Sequence, residues 1–274
     1  MAQRDSNDWI REGMAMWRGL VPNIAEPMAA GMIQMADVFG IAPANVFNEL
    51  VRSARSELSG RPIEVDVGTT RVALVLDDIV AQTHSLGPAV GQFGDVELTA
   101  HSARYHDVDI ERATIRLRNV HLRPGTPMEL VAAPIELTAH LSQDSVNDLL
   151  TRRELGVVLE IVDGVPRIRS LSRPAMGYLE VDLVPAIDHL TIAATAAAND
   201  RWRLEKVARR LPSVRFDLPS ELHGVITKVE TTDDQLVLSG HFPQLREKVS
   251  REQIDQVMRR VQNFTGDLLR LPRI

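Results

Sequence analysis

The residues that could carry chemistry predict neither a catalytic nor a metal site. His101 and His106 are the closest of eight histidines, and no histidine pair has the HExxH spacing of a zinc site. No serine lies in a GxSxG motif, which excludes the usual nucleophile elbow. Gly87, Gly91 and Gly94 match neither GxGxxG nor P-loop spacing and indicate turns. The chain has no cysteine, so disulfides and Cys-based zinc sites are excluded.

Carboxylates are numerous, but their pattern is typical of solvated strand faces. Asp77, Asp78, Asp109 and Glu111 belong to stretches in which acidic and apolar residues alternate. A glycosidase with two catalytic carboxylates remains an alternative here, because such a pair is defined by its distance in space and not by its spacing in the sequence. We expect no enzyme, no catalytic residues, no metal and no cofactor.

Cationic and tryptophan residues point to a membrane surface. The densest charge cluster is a run of five Arg and Lys side chains within residues 201–210. This run is either a solvated edge or a contact with anionic headgroups, where each cation contributes about 1 kcal/mol. The N-terminal tryptophans either pack against the body of the protein or anchor in the membrane interface. The predicted membrane-contact residues are Trp9, Trp17, Arg209, Arg210, Arg259 and Arg260.

Composition excludes nucleic acid and favours an aliphatic interior. The net charge is -6, so the overall field repels a polyanion. Aromatic residues make up only 4% of the 274 residues, which leaves few platforms for stacking bases. Hydrophobic residues make up 44%, as in an ordinary globular protein. The core must therefore consist mainly of Leu, Val, Ile, Ala and Met.

The sequence predicts helices at both ends of the chain and two blocks of strands between them. Apolar residues recur at helical spacing before residue 60 and after residue 250, and at a period of two over 62–141 and 156–241. Ser142 is a predicted N-cap of a short helix between the blocks. Asp163-Gly164 predicts a hairpin turn. A one-residue shift of the alternation near Asn119 predicts a β-bulge or bend.

Residues 1–17 do not form a signal peptide of the usual kind. They mix acidic and basic residues and lack a continuous apolar region. We expect a cytoplasmic protein, or one peripheral on the inner membrane, and a periplasmic location is less favoured.

Several segments of the chain together resemble one family. Val96-Glu97-Leu98-Thr99-Ala100 is followed by Val108-Asp109-Ile110, the helix Ser145–Leu150 and Phe216-Asp217-Leu218-Pro219 in that order. This order resembles the LmeA-like phospholipid-binding proteins of actinobacteria, with the likeness extending over about residues 47–242.

The resemblance implies an α+β, tubular lipid-binding-like fold. In that fold a highly curved antiparallel β-sheet wraps a long helix and leaves an apolar channel for acyl chains. The chain is then divided into an N-terminal helical extension (1–42), a lipid-binding domain (43–243) and a C-terminal amphipathic helix (244–274). The extra N- and C-terminal amphipathic helices depart from the family pattern.

The implied function is non-catalytic binding of phospholipid or a related acyl lipid, as a carrier or sensor in envelope lipid metabolism. An acyl chain of about sixteen carbons gains roughly 13 kcal/mol on leaving water, at about 0.8 kcal/mol per methylene. The alternative is a structural or adaptor subunit that binds protein partners through the terminal helices Trp9–Val21 and Ile254–Leu268. The predicted lipid-binding residues are Val46, Leu50, Leu58, Leu74, Leu98, Leu117, Leu137, Leu179, Leu183 and Ile192.

Overall fold

The protein folds into two antiparallel β-sheets. A computed structural model describes residues 51–249, except 53–54, 57, 68–69, 83–91, 107, 124–127 and 200. The described strands are β1 Pro62–Val67, β2 Thr70–Gln82, β3 Gln92–Tyr105, β4 Val108–Arg123, β5 Met128–Ala132, β6 Ile135–Ser142, β7 Val157–Val162, β8 Val165–Ser170, β9 Tyr178–Pro185, β10 His189–Asn199, β11 Trp202–Leu204, β12 Val214–Asp217, β13 Ile226–Thr232, β14 Gln235–Phe242 and β15 Leu245–Val249. The described helices are α1 Gln143–Arg152 and α2 Glu205–Ala208, with 3-10 turns at Pro174–Met176 and Ser220–Leu222.

The large sheet has nine strands and is built around long consecutive hairpins. Its order is β1-β2-β3-β4-β6-β14-β13, and β5 pairs with both β4 and β15. Strands β2, β3 and β4 have 13 to 16 residues each, because their apolar alternation continues with few interruptions. A turn at Asp233-Asp234 joins β13 to β14, where Thr232 lies opposite Gln235.

Strand β4 bends at Asn119, as the shift in the alternation predicts. Asn119 has a positive φ of 49°, and the β3–β4 register shifts on either side of Gly94. Before the bend β4 pairs with β6, and from His121 onward it pairs with β5. The side chain of Asp95 accepts a hydrogen bond from the Asn119 backbone N–H at 3.0 Å. The predicted β-bulge or bend is therefore confirmed.

The small sheet has six strands in the order β11-β10-β9-β8-β7, and β12 pairs with the same edge of β10 as the neighbouring β11. Its first hairpin turns at Asp163 and Gly164, whose φ angles are 53° and 74°. Two positive φ angles are what a tight hairpin turn with the right-handed strand twist requires. The hairpin predicted from Asp163-Gly164 is confirmed.

Helix α1 begins at the predicted N-cap and lies along the outer edge of β7. The Ser142 hydroxyl accepts a hydrogen bond from the Ser145 N–H at 3.2 Å. The Asn147 side chain accepts from the Leu159 N–H at 2.7 Å and donates to the Leu159 carbonyl at 2.9 Å. The Gln143 side chain accepts from the Ile161 N–H at 2.7 Å. These side chains satisfy backbone groups that an edge strand would otherwise present to other chains.

Two apolar clusters hold the fold together. The first lies mainly on the large sheet and includes the fully buried Phe93, Leu76 and Ile135. The second joins both sheets, because Leu141 and Leu236 of the large sheet pack there with Leu159 of the small sheet. The second cluster fixes the small sheet against β6 and β14.

The predicted fold class is wrong. The described residues are mostly strands of two antiparallel sheets, and none of their helices is long and wrapped by a sheet. Between residues 143 and 249 the longest helix is α1, with 10 residues. The predicted C-terminal helix is wrong at Leu245–Val249, which is strand β15 paired with β5. Apart from helical positions between 51 and 58, neither end of the described part of the chain is helical.

The physical reason for this error is that alternation identifies strands but not their partners. Strands β7 to β10 pair through three successive local connections and form a sheet of their own. The helical spacing before residue 60 agrees with the described positions 51–52, 55–56 and 58, which are helical, and Val51 packs in the first cluster. The rest of the terminal helix predictions lie outside the described residues, and the three-part domain division stays a prediction. No helix in the described part of the chain is both long and apolar enough to cross a membrane.

Candidate functional site

The small sheet has one apolar face that is covered at one end and open at the other. Leu159, Ile168, Leu179, Ala197 and Leu204 lie directly opposite one another on β7, β8, β9, β10 and β11. Opposed residues of an antiparallel sheet share a face. Leu159 is buried, the middle three are half-buried, and Leu204 is 46% exposed. The row is therefore covered at β7, partly covered across β8 to β10 and uncovered at β11. We call this side of the small sheet the inner face.

A second row on the inner face shows the same trend. Leu183 of β9 lies opposite Ile192 of β10, and Ile192 lies opposite Val214 of β12. Leu183 and Ile192 are half-buried, whereas Val214 is 61% exposed. Neither row contains a charged residue, so the face is an aliphatic surface with incomplete cover.

Part of the large sheet faces this surface with half-buried aliphatic side chains. Ile110, Val229 and Leu238 pack against both apolar clusters, and all three are half-buried. Ile168 and Leu183 of the small sheet pack against the second cluster from the other side. The Thr231 hydroxyl also donates a hydrogen bond to the Gly164 carbonyl, which ties β13 to the first hairpin of the small sheet. The two sheets thus place aliphatic side chains on both sides of the second cluster.

The outer face of the small sheet is charged. Glu180 is buried, and its carboxylate accepts hydrogen bonds from Arg203 at 2.6 and 3.2 Å. Hydrogen bonding to Glu180 raises the pKa of Arg203 further above its ordinary value. The guanidinium of Arg167 stacks 4.5 Å from the centre of the Tyr178 ring. Because these groups alternate with the apolar residues along the strands, the sheet separates ionic contacts from the aliphatic face.

Residues 201–215 form the exposed edge of the small sheet, and we call them the edge segment. The segment contains β11, α2 and β12, and each strand pairs with β10. Ala208 is fully buried, whereas every other residue of the segment is exposed. Its exposed residues include both cations and large apolar side chains.

Several carboxylates of the described residues are held in ion pairs with arginine or histidine. Arg104 donates two hydrogen bonds to Asp109, at 2.6 and 3.0 Å, and lowers the pKa of Asp109. His101 pairs with Asp77 instead of His106. A carboxyl group with a lowered pKa is ionised at neutral pH and cannot serve there as a general acid. Within the described ranges, no three His, Asp or Glu side chains gather as metal ligands.

The structure divides the predicted lipid-binding residues into two sets. Leu74, Leu98 and Leu117 are buried in the first cluster, with Leu58 and Leu137 half-buried against it. Leu179, Leu183 and Ile192 lie together on the inner face, and Leu183 and Ile192 are direct cross-strand neighbours. Val46 and Leu50 lie outside the described residues. The lipid-binding role of each residue stays a prediction.

The predicted membrane-contact residues are only partly described. Arg209 and Arg210 are exposed on the edge segment. Trp9, Trp17, Arg259 and Arg260 lie outside the described residues. The sequence reasoning missed Trp202 and Leu204, although the order Arg201-Trp202-Arg203-Leu204 has the strand alternation that would have placed them on one face. It also missed Val214, whose position on the inner face depends on pairing with β10.

A partly uncovered aliphatic face is the type of surface on which the apolar part of a ligand can lie. The family model described as LmeA-like phospholipid-binding matches residues 78–241, more than half of the chain, and the chain belongs to that family. The predicted family is therefore confirmed, and the family supports lipid binding. No curated protein and no solved structure matches the chain.

Proposed function

We propose that the protein is a non-catalytic phospholipid carrier that holds acyl chains against the inner face of the small sheet. The single observation that carries the proposal is the row from Leu159 to Leu204, which is continuous and aliphatic, buried at β7 and exposed at β11. A filled core would bury such a row along its whole length. A lipid chain lying on the open part would complete the cover.

The hydrophobic effect supports this assignment. Each methylene that moves from water to the inner face contributes about 0.8 kcal/mol, so one acyl chain supplies ample driving force. The face needs no charged group for this purpose, because the phosphate can stay in water at the open end. Sensing, the other role consistent with binding, would use the same face. Envelope lipid metabolism remains the proposed setting.

Lipid co-purification tests the proposal directly. Protein purified without detergent should carry phospholipid detectable by mass spectrometry of an organic extract. Ile192→Gln places an amide on the inner face, and burying it without a partner costs about 1 to 3 kcal/mol. We expect this variant to bind labelled phospholipid roughly tenfold more weakly.

A matched control exists one residue away on the same strand. Thr191 is also half-buried, but its side chain lies on the outer face, opposite Val184 and Arg215. Thr191→Gln should keep wild-type lipid binding, and circular dichroism should show both variants folded. A lipid-free wild-type protein that also takes up no labelled phospholipid would overturn the proposal, and so would equal losses in the two variants.

A further inference from the structure

The edge segment differs in charge from the rest of the chain. Six of its fifteen residues are Arg or Lys and one, Glu205, is acidic, which gives a formal charge of +5 against -6 for the whole chain. Arg203 is paired with Glu180 of β9, and Arg215 is paired with Asp188 in the loop between β9 and β10. Lys206, Arg209 and Arg210 are exposed on or just after α2. The segment is thus a local cationic surface on an acidic protein.

The same segment exposes an unusual number of apolar side chains. Between 41% and 61% of the surface of each is exposed. A soluble surface carries scattered apolar residues, but a contiguous group rimmed by cations marks an interaction site. These residues are Trp202, Leu204, Val207, Leu211 and Val214.

Three of these apolar residues, Trp202, Leu204 and Val214, continue the inner face. Leu204 ends the row that contains Leu179, and Val214 ends the row that contains Ile192. Trp202 is two residues before Leu204 on β11 and so shares its face. An acyl chain on the inner face would therefore reach solvent at this edge, beside the cations.

The segment is fastened to the sheet, so its surface is preformed. Arg203 bonds to the buried Glu180 at 2.6 Å, and Arg215 bonds to Asp188 at 2.6 Å. The Asn199 side chain accepts hydrogen bonds from the Arg201 and Trp202 N–H groups at 2.9 and 3.1 Å. These contacts tie β11 and β12 to β9, β10 and the loop between them.

We propose that the edge segment docks on an anionic phospholipid membrane and is the entrance through which lipid passes between the bilayer and the inner face. The inference rests on the proposed function. Charge complementarity identifies the occupant as an anionic lipid surface, because cations there meet headgroups while Trp202 and its apolar neighbours enter the interface. The continuity of the rows explains why docking and loading share one edge.

Vesicle binding by the full chain tests the docking charges. The protein should bind vesicles of phosphatidylcholine and phosphatidylglycerol in equal parts and bind pure phosphatidylcholine vesicles much more weakly. Lys206→Gln combined with Arg210→Gln should weaken binding to the mixed vesicles by about thirtyfold, since each cation near an anionic surface contributes about a fivefold factor. Arg61→Gln combined with Arg112→Gln makes the same charge change at exposed positions elsewhere and should leave binding unchanged.

Tryptophan emission tests the orientation. The chain has three tryptophans, and Trp9→Phe with Trp17→Phe leaves Trp202 as the sole reporter. On mixed vesicles, Trp202 emission should shift to the blue and be quenched by lipids with brominated acyl chains. Vesicle binding without any change in Trp202 emission would overturn the proposal, because the protein would then dock through another surface.

Uptake of dispersed short-chain phospholipid separates the two proposals. The Lys206→Gln/Arg210→Gln variant should take up this lipid as the wild type does, while its extraction of lipid from mixed vesicles falls. If the wild type takes up no dispersed lipid, the proposed function fails. If uptake is normal but both double variants lose vesicle binding equally, or vesicles are not bound at all, only the docking edge fails.

Discussion

The two sheets differ in how completely their apolar faces are covered. On the large sheet, Val96, Leu117, Ile135 and Phe242 form a cross-strand row in which every residue is buried. On the small sheet, the row that begins at the buried Leu159 is half-buried across its middle and ends at an exposed leucine. Both rows are aliphatic or nearly so, and only their cover differs.

This difference distinguishes the large sheet, whose closed row stabilises the fold, from the small sheet, whose open row is the proposed lipid-binding surface. A closed row contributes its full hydrophobic free energy to folding, because no ligand is needed to remove it from water. A half-covered row leaves part of that free energy available for a bound lipid. Substitutions in the closed row should therefore mainly lower the free energy of unfolding. Substitutions in the half-covered row should mainly weaken lipid binding.

The largest expected effect comes from opening the closed row. Ile135 is fully buried between Leu117 and Phe242, so Ile135→Ala removes three methylene-sized groups and leaves a cavity. We expect a loss of about 3 to 4 kcal/mol in the free energy of unfolding. Urea denaturation followed by circular dichroism measures it.

Ile192→Ala is the matched substitution on the open row. Ile192 is only half-buried, so we expect its replacement to lower the free energy of unfolding by about 1 kcal/mol while clearly weakening lipid binding. Equal losses of stability in the two alanine variants would show that the rows are equally covered, and the comparison would fail.

Hydrogen exchange should show the second largest effect without any substitution. A lipid at a hundredfold its Kd stabilises the bound state by about 2.7 kcal/mol, which sets the upper limit for slowing any one amide. We expect amides of β9 and β10 to gain most of this protection. Local openings of β3 should change little, because its apolar side chains are already buried. Uniform protection of both sheets would indicate global stabilisation instead of contact at the small sheet.

Much of the local structure could be predicted from the sequence, because its causes are local. The Ser142 cap, the Asp163-Gly164 turn and the bend at Asn119 all follow from residue type and spacing. Strand pairing does not follow from residue type and spacing, because β14 pairs with β6 and so joins residues about a hundred positions apart. The prediction of one sheet wrapped around a helix was wrong because it depended on strand pairing. The alternation of β7 to β10 is equally compatible with one sheet or two.

The candidate site was predictable only in part for the same reason. Alternation placed Leu183 and Ile192 on a common apolar face, and their direct pairing agrees with that. The difference in exposure between Leu117 and Ile192 depends on what lies above each strand, which no spacing in the sequence encodes. The edge segment carried a visible signal in its alternating Arg, Trp, Arg and Leu residues, but its place beside the inner face required the pairing of β11 and β12 with β10.

The third effect concerns the covered end of the small sheet. Asn147→Ala removes the amide that bonds both backbone groups of Leu159, at 2.7 and 2.9 Å, and leaves these part-buried groups unsatisfied. We expect a loss of about 1 to 2 kcal/mol and faster exchange of the Leu159 amide. The exposed Asp148→Ala on the same helix is the control and should change little. If Asn147→Ala lowers lipid binding as strongly as Ile192→Ala does, the lipid reaches the β7 end and the open end has been placed wrongly.

The smallest expected effect on stability concerns Asp188, which holds β12 at the exposed edge of the small sheet. The Asp188 carboxylate contacts the His189 ring nitrogen and the Arg215 guanidinium, each at 2.6 Å. The hydrogen bond with His189, assisted by Arg215, lowers the pKa of Asp188. A carboxyl group whose folded pKa is below its unfolded value stabilises the fold above the unfolded value, about 3.9, and loses this contribution as the pH falls through the folded value. Asp188→Asn should therefore be slightly less stable than the wild type at neutral pH, and the gap should close in acid.

The exposed Asp182→Asn on β9 makes the same charge change and is the control, which should keep the wild-type urea midpoint at neutral pH. Urea midpoints measured from about pH 7 down to about pH 2.5 would test both variants. Because Asp188 fastens β12 to the loop before β10, its loss should also reduce vesicle binding more than it reduces uptake of dispersed lipid. A gap that widened in acid would mean that the folded protein prefers Asp188 protonated, and the ion pair with Arg215 would then not be what holds the open edge in place.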